Sequence, residues 1–503
     1  MSDAEAYTRI PYPGLAFPQT HPDRLALLAI LHGLEPTPPE HARVLEAGCA
    51  DGLNLIAMAA HSPHVEAVGF DLVEPALGIQ AVAELELANV RLEQADLLDA
   101  RAWGEFDYVV AHGVYSWVPE AARDALMALF ARCLAPHGVA FVSYNALPGA
   151  RLRTMLREMV LLHAGAEAGL SERVDSGREL YEFLAPWAED RPDAYGAVLA
   201  SELARLRRLP KPLLAHDDLG PSYEPVWLRD VADHAERHGL RYLADAEPGE
   251  LRADRQPAEV NAHLDALAGG DRVAWEQYAD LLAGRAFHQT LLCRTDAPLD
   301  DKIAPARLER LWFRATESAE LDGATASDTG AAERHESAGN GSSGPSTVAR
   351  LARERPRAFA FTDLFETLGA RDADALAAEL WQAFRAGQVE LSSVPDRHVS
   401  VVGDHPEADP LARWQAARGP ELTNLKHEPV RLEDALGRLL IRLCDGAHDR
   451  SALVDAVVAR VGGELRLTLE GNPVTDGEMV RRQIAGGLQE NLETLARLAL
   501  LRN

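Results

Sequence analysis

The stretch from Arg43 to Gly52, RVLEAGCADG, decides how this chain folds. Val44 and Leu45 begin a short strand, Glu46 follows, and small residues lead into Leu53 to Ala60, whose spacing predicts a helix. A strand that stops in Gly48, Ala50 and Gly52 lets backbone come against a ligand where a Cβ would collide. Dinucleotide folds rest pyrophosphate on such a turn, but they need G-x-G-x-x-G. No third glycine arrives in that frame here, and Glu46 would repel a pyrophosphate while suiting a cationic ligand.

Strand and helix signals alternate downstream at the rhythm of a doubly wound parallel α/β sheet. Val65 to Phe70 predicts a second strand ending in Asp71, the place from which an acid accepts hydrogen bonds from ribose hydroxyls. The helix Ala76 to Leu87 and the strand Val90 to Glu93 then reach Ala95-Asp96-Leu97. Asp107 to Ala111 gives a fourth strand running into HGVYSWVP, Pro119 to Ala135 a helix, and HGVAFVSYN a fifth strand ending at Tyr144-Asn145. Ligands of such sheets sit at the carboxyl ends of the strands, and Glu46, Asp71, Asp96, His112 and Asn145 all fall there. Gly149 to Arg208 is helical in character, with LRTMLREMVLLHA apolar at three- and four-residue spacing. A helix from Pro225 to His238, a strand from Leu240 to Ala246, a helical piece from Glu259 to Ala283 and a strand from Ala286 to Arg294 complete the sheet. The first helical stretch is therefore an insertion on the ligand side.

Before the motif, YTRIPYPGLAFPQTHPDRLALLAILHGL reads as an ordered arm leading into a helix from Pro22 to His32, with Thr20 as N-cap. From about Ser318 to Thr347 apolar periodicity disappears and Gly, Ser and acid dominate, which predicts a disordered linker. Helices near Val348 to Arg353, Phe361 to Leu368 and Ala373 to Ala386, then VELSSVP and RHVSVVG as a hairpin, suggest a winged-helix-like α+β module. A helical hairpin broken at Asp445-Gly446 follows. The expected organisation is an arm and helix over 1–42, a first part of the core over 43–150, the insertion over 151–220, completion of the core over 221–298, a connecting segment and linker over 299–347, and the C-terminal interaction domain over 348–503.

Winged helices often bind DNA, but residues 348–503 hold 20 Lys and Arg against 24 Asp and Glu, and the whole chain carries a formal charge of −28. Nucleic acid is therefore not the expected partner, and a protein-contact or homodimerisation role is favoured for this part. No run of eighteen apolar residues appears and MSDAEAYTRI lacks a signal region, so a cytoplasmic protein without membrane insertion is expected. The four cysteines, Cys49, Cys133, Cys293 and Cys444, are scattered, which argues against a disulfide framework or structural zinc. His234 and His238 stand four apart, but HAERH is not H-E-x-x-H, so they read as a charged solvent face and no metal is expected. His216-Asp217 reads equally as a helix-entry cap or a substrate contact.

RVLEAGCADG is similar to motif I of class I S-adenosylmethionine-dependent methyltransferases, (E/D)-x-G-x-G-x-G, with Ala50 in place of the middle glycine. PYPGLAFPQTHPDRLALLAILHGL, FDYVVAHGVYSWVP, SYNALPG, HDDLGPSYEPVW, AFHQTLLC, DPLARWQA and TNLKHEPVRLEDALGRLL resemble, in the same order, bacterial members that carry a methyltransferase regulatory domain. The best-known of these are similar to the rickettsial protein lysine methyltransferases. The resemblance implies S-adenosylmethionine as cofactor, held by Glu46, Gly48, Ala50 and Gly52, by Asp71 and Leu72 at the ribose, by Asp96 and Leu97 at the adenine, by His112, and by Thr20 and His21 from the covering arm. It implies a transfer site lined by His112, Tyr115, Trp117, Tyr144 and Asn145.

Methyl transfer from a sulfonium requires alignment and exclusion of water more than acid–base help. A lysine acceptor must also lose a proton, and aromatic walls from Tyr115, Trp117 and Tyr144 could hold its chain while desolvation lowers its pKa. The chain is thus expected to methylate lysine side chains of a protein. The alternatives are a small-molecule methyltransferase and a cofactor-binding interaction protein without turnover.

Overall fold

The computed structural model describes residues 10, 12, 14–165, 167–251, 256–300, 303–317, 319, 347–368, 370, 372–399, 401–463, 465, 468–469, 472–473 and 477–502. After helix α1 (Pro22–Leu31), strand β1 (Arg43–Ala47) leads to α2 (Leu53–His61), β2 (Glu66–Asp71), α3 (Ala76–Glu84), β3 (Val90–Gln94), β4 (Phe106–Ala111), α4 (Glu120–Cys133) and β5 (Leu134–Asn145). Three helices of the insertion, α5 (Arg151–Ala164), α6 (Leu170–Glu189) and α7 (Ala194–Arg208), come next, and α8 (Lys211–Asp217) closes it. The sheet is completed by α9 (Leu228–Arg237), β6 (Leu240–Asp245), α10 (Ala258–Ala268), α11 (Arg272–Ala283) and β7 (Phe287–Arg294). Strand order is β3-β2-β1-β4-β5-β7-β6. The first five are parallel, and β7 enters antiparallel between β5 and β6. This is the expected class I methyltransferase sheet.

Helices on both faces bury the central strands β4 and β5 twice over, which is why FDYVVA and GVAFV are nearly continuous apolar runs. Val44, Tyr108, Val110 and Phe141 face α1 and α2. Leu45, Val109, Val142 and Tyr144 face α4 and α9. The insertion has its own small core of Leu156, Val160, Val174, Tyr181 and Leu203. No helix among the described residues is long and apolar enough to cross a membrane.

The C-terminal part differs from expectation in two ways. First, Trp312–Ala315 lies in the segment read as a connection, yet it forms the middle strand of a small sheet between Phe359–Ala360 and Val389–Ser392. Its core includes Leu27 and Leu31 of α1, so this unit is packed onto the α/β lobe. Second, VELSSVP and RHVSVVG are not a hairpin. Val389 to Ser392 pairs with Trp312 to Ala315 instead, because the partner strand lies before the linker and local sequence gives no sign of it. The linker residues, apart from Ala319 and Thr347, lie outside the described residues. A second unit follows, with helices Pro410–Ala416, Ala435–Leu443, Arg450–Val458 and Gly477–Arg497 around one core. It contains the helical hairpin read from the sequence.

Candidate functional site

The turn after β1 is held open by backbone that only small residues accept. Gly48, Ala50 and Gly52 all have positive φ, at 73°, 50° and 77°. A Cβ at Gly48 would stand 2.5 Å from Val114 Cγ2, and one at Gly52 would stand 2.6 Å from Leu92 Cδ1. Ala50 adopts the left-handed conformation at a cost of about 1–2 kcal/mol. Asp71 Oδ2 secures it by accepting the Ala50 N–H at 2.9 Å. The other Asp71 oxygen accepts the Val73 N–H at 3.0 Å, and burial raises the carboxyl above its ordinary value. Leu72 is exposed beside it. Asp96 turns the chain after β3 by accepting the Leu98 N–H at 2.9 Å, and Ala95 N–H donates to the Asp71 carbonyl at 2.9 Å. The two acids therefore share one rim, with Leu97 packed beneath.

Glu46 is 3% exposed. Burial pushes its pKa up to about 8 against the Asn54 hydrogen bond, with Asp51 and Asp71 adding to the rise. Oε1 accepts from Asn54 Nδ2 at 3.0 Å, while Oε2 has no hydrogen-bond partner among the described residues. A buried carboxylate oxygen without a donor, beside a loop cleared of side chains, fits the cationic amino acid end of S-adenosylmethionine and is costly without such a ligand.

Asn54 is the residue that reading the sequence missed. Its Nδ2 donates to Glu46 and also to Thr20 Oγ1 at 3.0 Å, and its Oδ1 accepts from the Phe17 backbone N–H at 3.0 Å. The same Oδ1 lies 2.7 Å from Nε2 of His427, a fully buried residue of the C-terminal unit with φ of 63°. One amide thus joins the motif I acid, the arm and the C-terminal domain. The only trace in the sequence is an amide within the otherwise apolar helix LNLIAMAAH. Its other end is also gripped: His61 Nε2 lies 3.3 Å from buried Asp409 Oδ2, and Arg397 donates to the His61 carbonyl at 2.8 Å.

Thr20 is not the N-cap of α1. The cap is His21, whose Nδ1 accepts the Asp23 N–H at 3.1 Å, and the Thr20 hydroxyl turns inward to Phe17 and Asn54. The His21 ring sits 4.9 Å from that of His427, and burial first, then nearby cations, lowers its pKa to about 3.

Of the expected transfer-site residues, His112, Trp117 and Asn145 stay on the ligand side. Ser143 Oγ lies 2.9 Å from His112 Nδ1 and accepts the Gly113 N–H at 2.8 Å, while Phe17 of the arm packs edge-on at 4.2 Å. Burial lowers the His112 pKa to about 4, so its ring is a poor proton acceptor. Asn145 Oδ1 accepts from Arg153 at 3.0 Å, and its N–H donates to Ser116 Oγ at 2.9 Å. The Trp117 and Tyr223 rings lie 4.9 Å apart, tilted by 46°, and a Cβ at Gly220 would stand 3.4 Å from the Trp117 ring.

Tyr115 and Tyr144 do not line this space. Both point to the opposite face of the sheet, 4% and 1% exposed, where Tyr115 OH meets His234 Nδ1 at 2.9 Å and Tyr144 OH meets Thr290 Oγ1 at 2.8 Å. Strand alternation places Tyr144 opposite Ser143 and Asn145, and the tight turn after β4 folds Tyr115 under α4. His234 is likewise buried rather than on a solvent face. His216-Asp217 ends α8 instead of starting a helix. Burial, then Asp218, raises the Asp217 pKa to about 7.

Three family models match in chain order: a methyltransferase domain over residues 20–184, a predicted methyltransferase regulatory domain over 210–294, and a PKMT C-terminal winged helix domain over 404–500. An uncharacterized protein of Rickettsia prowazekii is 30% identical over 241 residues, 47% of this chain and 96% of its own. The chain belongs to the class I S-adenosylmethionine-dependent methyltransferases with a regulatory domain. A second uncharacterized R. prowazekii protein is 28% identical across 100% of this methyltransferase and 94% of its own length. The solved structure of PKMT2 from Rickettsia typhi shares the fold at a TM-score of 0.82, with 24% identity over 97% of this chain and 100% of that one. The cofactor of this methyltransferase is S-adenosylmethionine, and the matched winged helix domain is the unit that carries His427.

Proposed function

We propose that this methyltransferase transfers methyl groups to lysine side chains of a protein. The observation that carries the reading is the aromatic pair Trp117–Tyr223 at the junction of core and insertion, with Arg153 bonded to Asn145 Oδ1 and its charge felt at both Tyr223 and Asp217. An aromatic wall with a carboxyl group nearby suits a lysine ammonium and its apolar stem. The acidic chain and the likeness to a structure named PKMT2 support it.

The cofactor supplies a methyl group on a sulfonium. In this reading Glu46, Gly48, Ala50 and Gly52 hold its amino acid end, Asp71 and Leu72 its ribose, Asp96 and Leu97 its adenine, and His112 with Thr20 and His21 cover it through Phe17. Trp117 and Tyr223 align the acceptor and exclude water. Desolvation between them lowers the ammonium pKa, so the acceptor sheds its proton without a strong general base, a part for which burial makes His112 a poor candidate.

Labelled methyl transferred into an extract of the source cell should be recovered, after complete hydrolysis of protein, as methylated lysine. Label confined to small molecules would replace this reading with a small-molecule methyltransferase. Trp117→Ala should reduce transfer about 10- to 100-fold, the cost of a misplaced acceptor, with cofactor affinity intact by calorimetry.

A further inference from the structure

Asp124, His234 and His238 converge on the face of the sheet opposite the cofactor turn. HAERH runs from the last turn of α9 to its C-cap, His238, and places two imidazoles four residues apart on one face of the helix end. His238 Nε2 lies 2.9 Å and His234 Nε2 3.4 Å from the same oxygen, Asp124 Oδ1 of α4. All three atoms lie within 4.8 Å of one another, the one such group among the described residues. The ligands grade from buried His234 through His238 to exposed Asp124, which gives an ion a path in from solvent.

We propose that these three residues bind a divalent transition-metal ion of the zinc class. Two imidazoles and a carboxylate suit zinc and its neighbours, whereas calcium and magnesium want oxygen alone. Tetrahedral zinc, with bonds of about 2.0–2.1 Å, separates its ligand atoms by about 3.4 Å, comparable with the 2.9 and 3.4 Å between Asp124 Oδ1 and the two imidazoles. The outer shell is built as well. Tyr115 OH lies 2.9 Å from His234 Nδ1, where it can accept the Nδ1 proton and leave the Nε2 lone pair for the metal. The nearby guanidinium of Arg123 is engaged by Glu224 at 2.9 Å and by the Tyr115 carbonyl at 2.8 Å, and Arg237 donates to the Asp233 carbonyl at 3.4 Å.

Three protein ligands leave a fourth position for water. The ion would tie α4 to α9 and, through Tyr115, brace the turn Tyr115–Trp117. In the reading proposed above that turn presents Trp117 to the acceptor, so the metal would act as a structural brace behind the acceptor side.

Chelator-treated full-length protein is titrated with zinc chloride by calorimetry, and separately with cobalt(II) by visible absorption. One equivalent should bind. His238→Ala and Asp124→Asn, both at partly or fully exposed side chains, should each weaken binding at least tenfold, while His263→Ala, on an exposed histidine elsewhere, should leave it unchanged. Circular dichroism checks that the variants fold. No uptake by the parent protein, or equal affinity in all three variants, overturns the site.

Discussion

Replacing His427 with alanine isolates the link between the C-terminal unit and the cofactor turn. The imidazole is 1% exposed and 2.7 Å from Asn54 Oδ1, and burial holds its pKa well below the ordinary value, so the bond is one between neutral groups. Its loss costs about 0.5–1.5 kcal/mol. Asn54 keeps its bonds to Phe17, Thr20 and Glu46, so no buried group is orphaned. The emptied space adds a cavity cost, for a total loss of about 2–4 kcal/mol in global stability. Only the part transmitted through Asn54 to Glu46 and the arm reaches the cofactor. About 1 kcal/mol there is roughly a fivefold weaker dissociation constant. Calorimetric titration of S-adenosylmethionine into folded His427→Ala reads that number directly. Leu453→Ala, which opens a cavity in the same unit away from Asn54, controls for general destabilisation and should leave affinity unchanged. Equal cofactor affinity in His427→Ala and the parent protein would refute the linkage, whatever happens to stability.

Three further outcomes follow from the titrating groups. With its pKa raised to about 8, Glu46 is mostly protonated at pH 7 in the free protein. A cationic ligand favours its charged form, so cofactor affinity should rise with pH up to about 8 and protons should be released on binding; Glu46→Gln should flatten that dependence. Asp71→Ala frees the Ala50 and Val73 amides together and should weaken cofactor binding by about 1.5–3 kcal/mol, visible by calorimetry. His288 is buried between Asp245 at 3.0 Å and Asp280 at 2.8 Å. Burial opposes its charge, but the two carboxylates prevail and raise its pKa. Its stabilising effect is therefore full below the unfolded value of about 6.5 and is lost as pH rises through the raised folded value. Thermal unfolding across that range should show the loss, and His288→Leu should remove it while costing about 3–5 kcal/mol below pH 6.5.

The fold was legible because each unit of the sheet announces itself locally. RVLEAGCADG, FDYVVAHG and HGVAFVSYN carry strand, turn and helix signals within a dozen residues, and the closing strands follow from the same alternation. The acids at the strand ends were readable for the same reason, since topology alone puts Glu46, Asp71 and Asp96 on one rim. Ala50 was readable as a departure, though not its accommodation, which depends on the hydrogen bond from Ala50 N–H to Asp71.

What the sequence by itself determined is this set of local signals: a class I sheet, a glycine-type turn with an acid before it, an insertion after the fifth strand, and a C-terminal part without a basic face. Tertiary structure alone decided which aromatic side chains the core takes in. Tyr115, Trp117 and Tyr144 look alike in sequence, but side-chain alternation and the turn after β4 send two of them into the core. It also decided that Trp312–Ala315 pairs across the linker, and that His427 meets Asn54 across 373 positions of chain. Such contacts carry no local periodicity, because their free energy comes from burial against a partner that only the folded chain brings near.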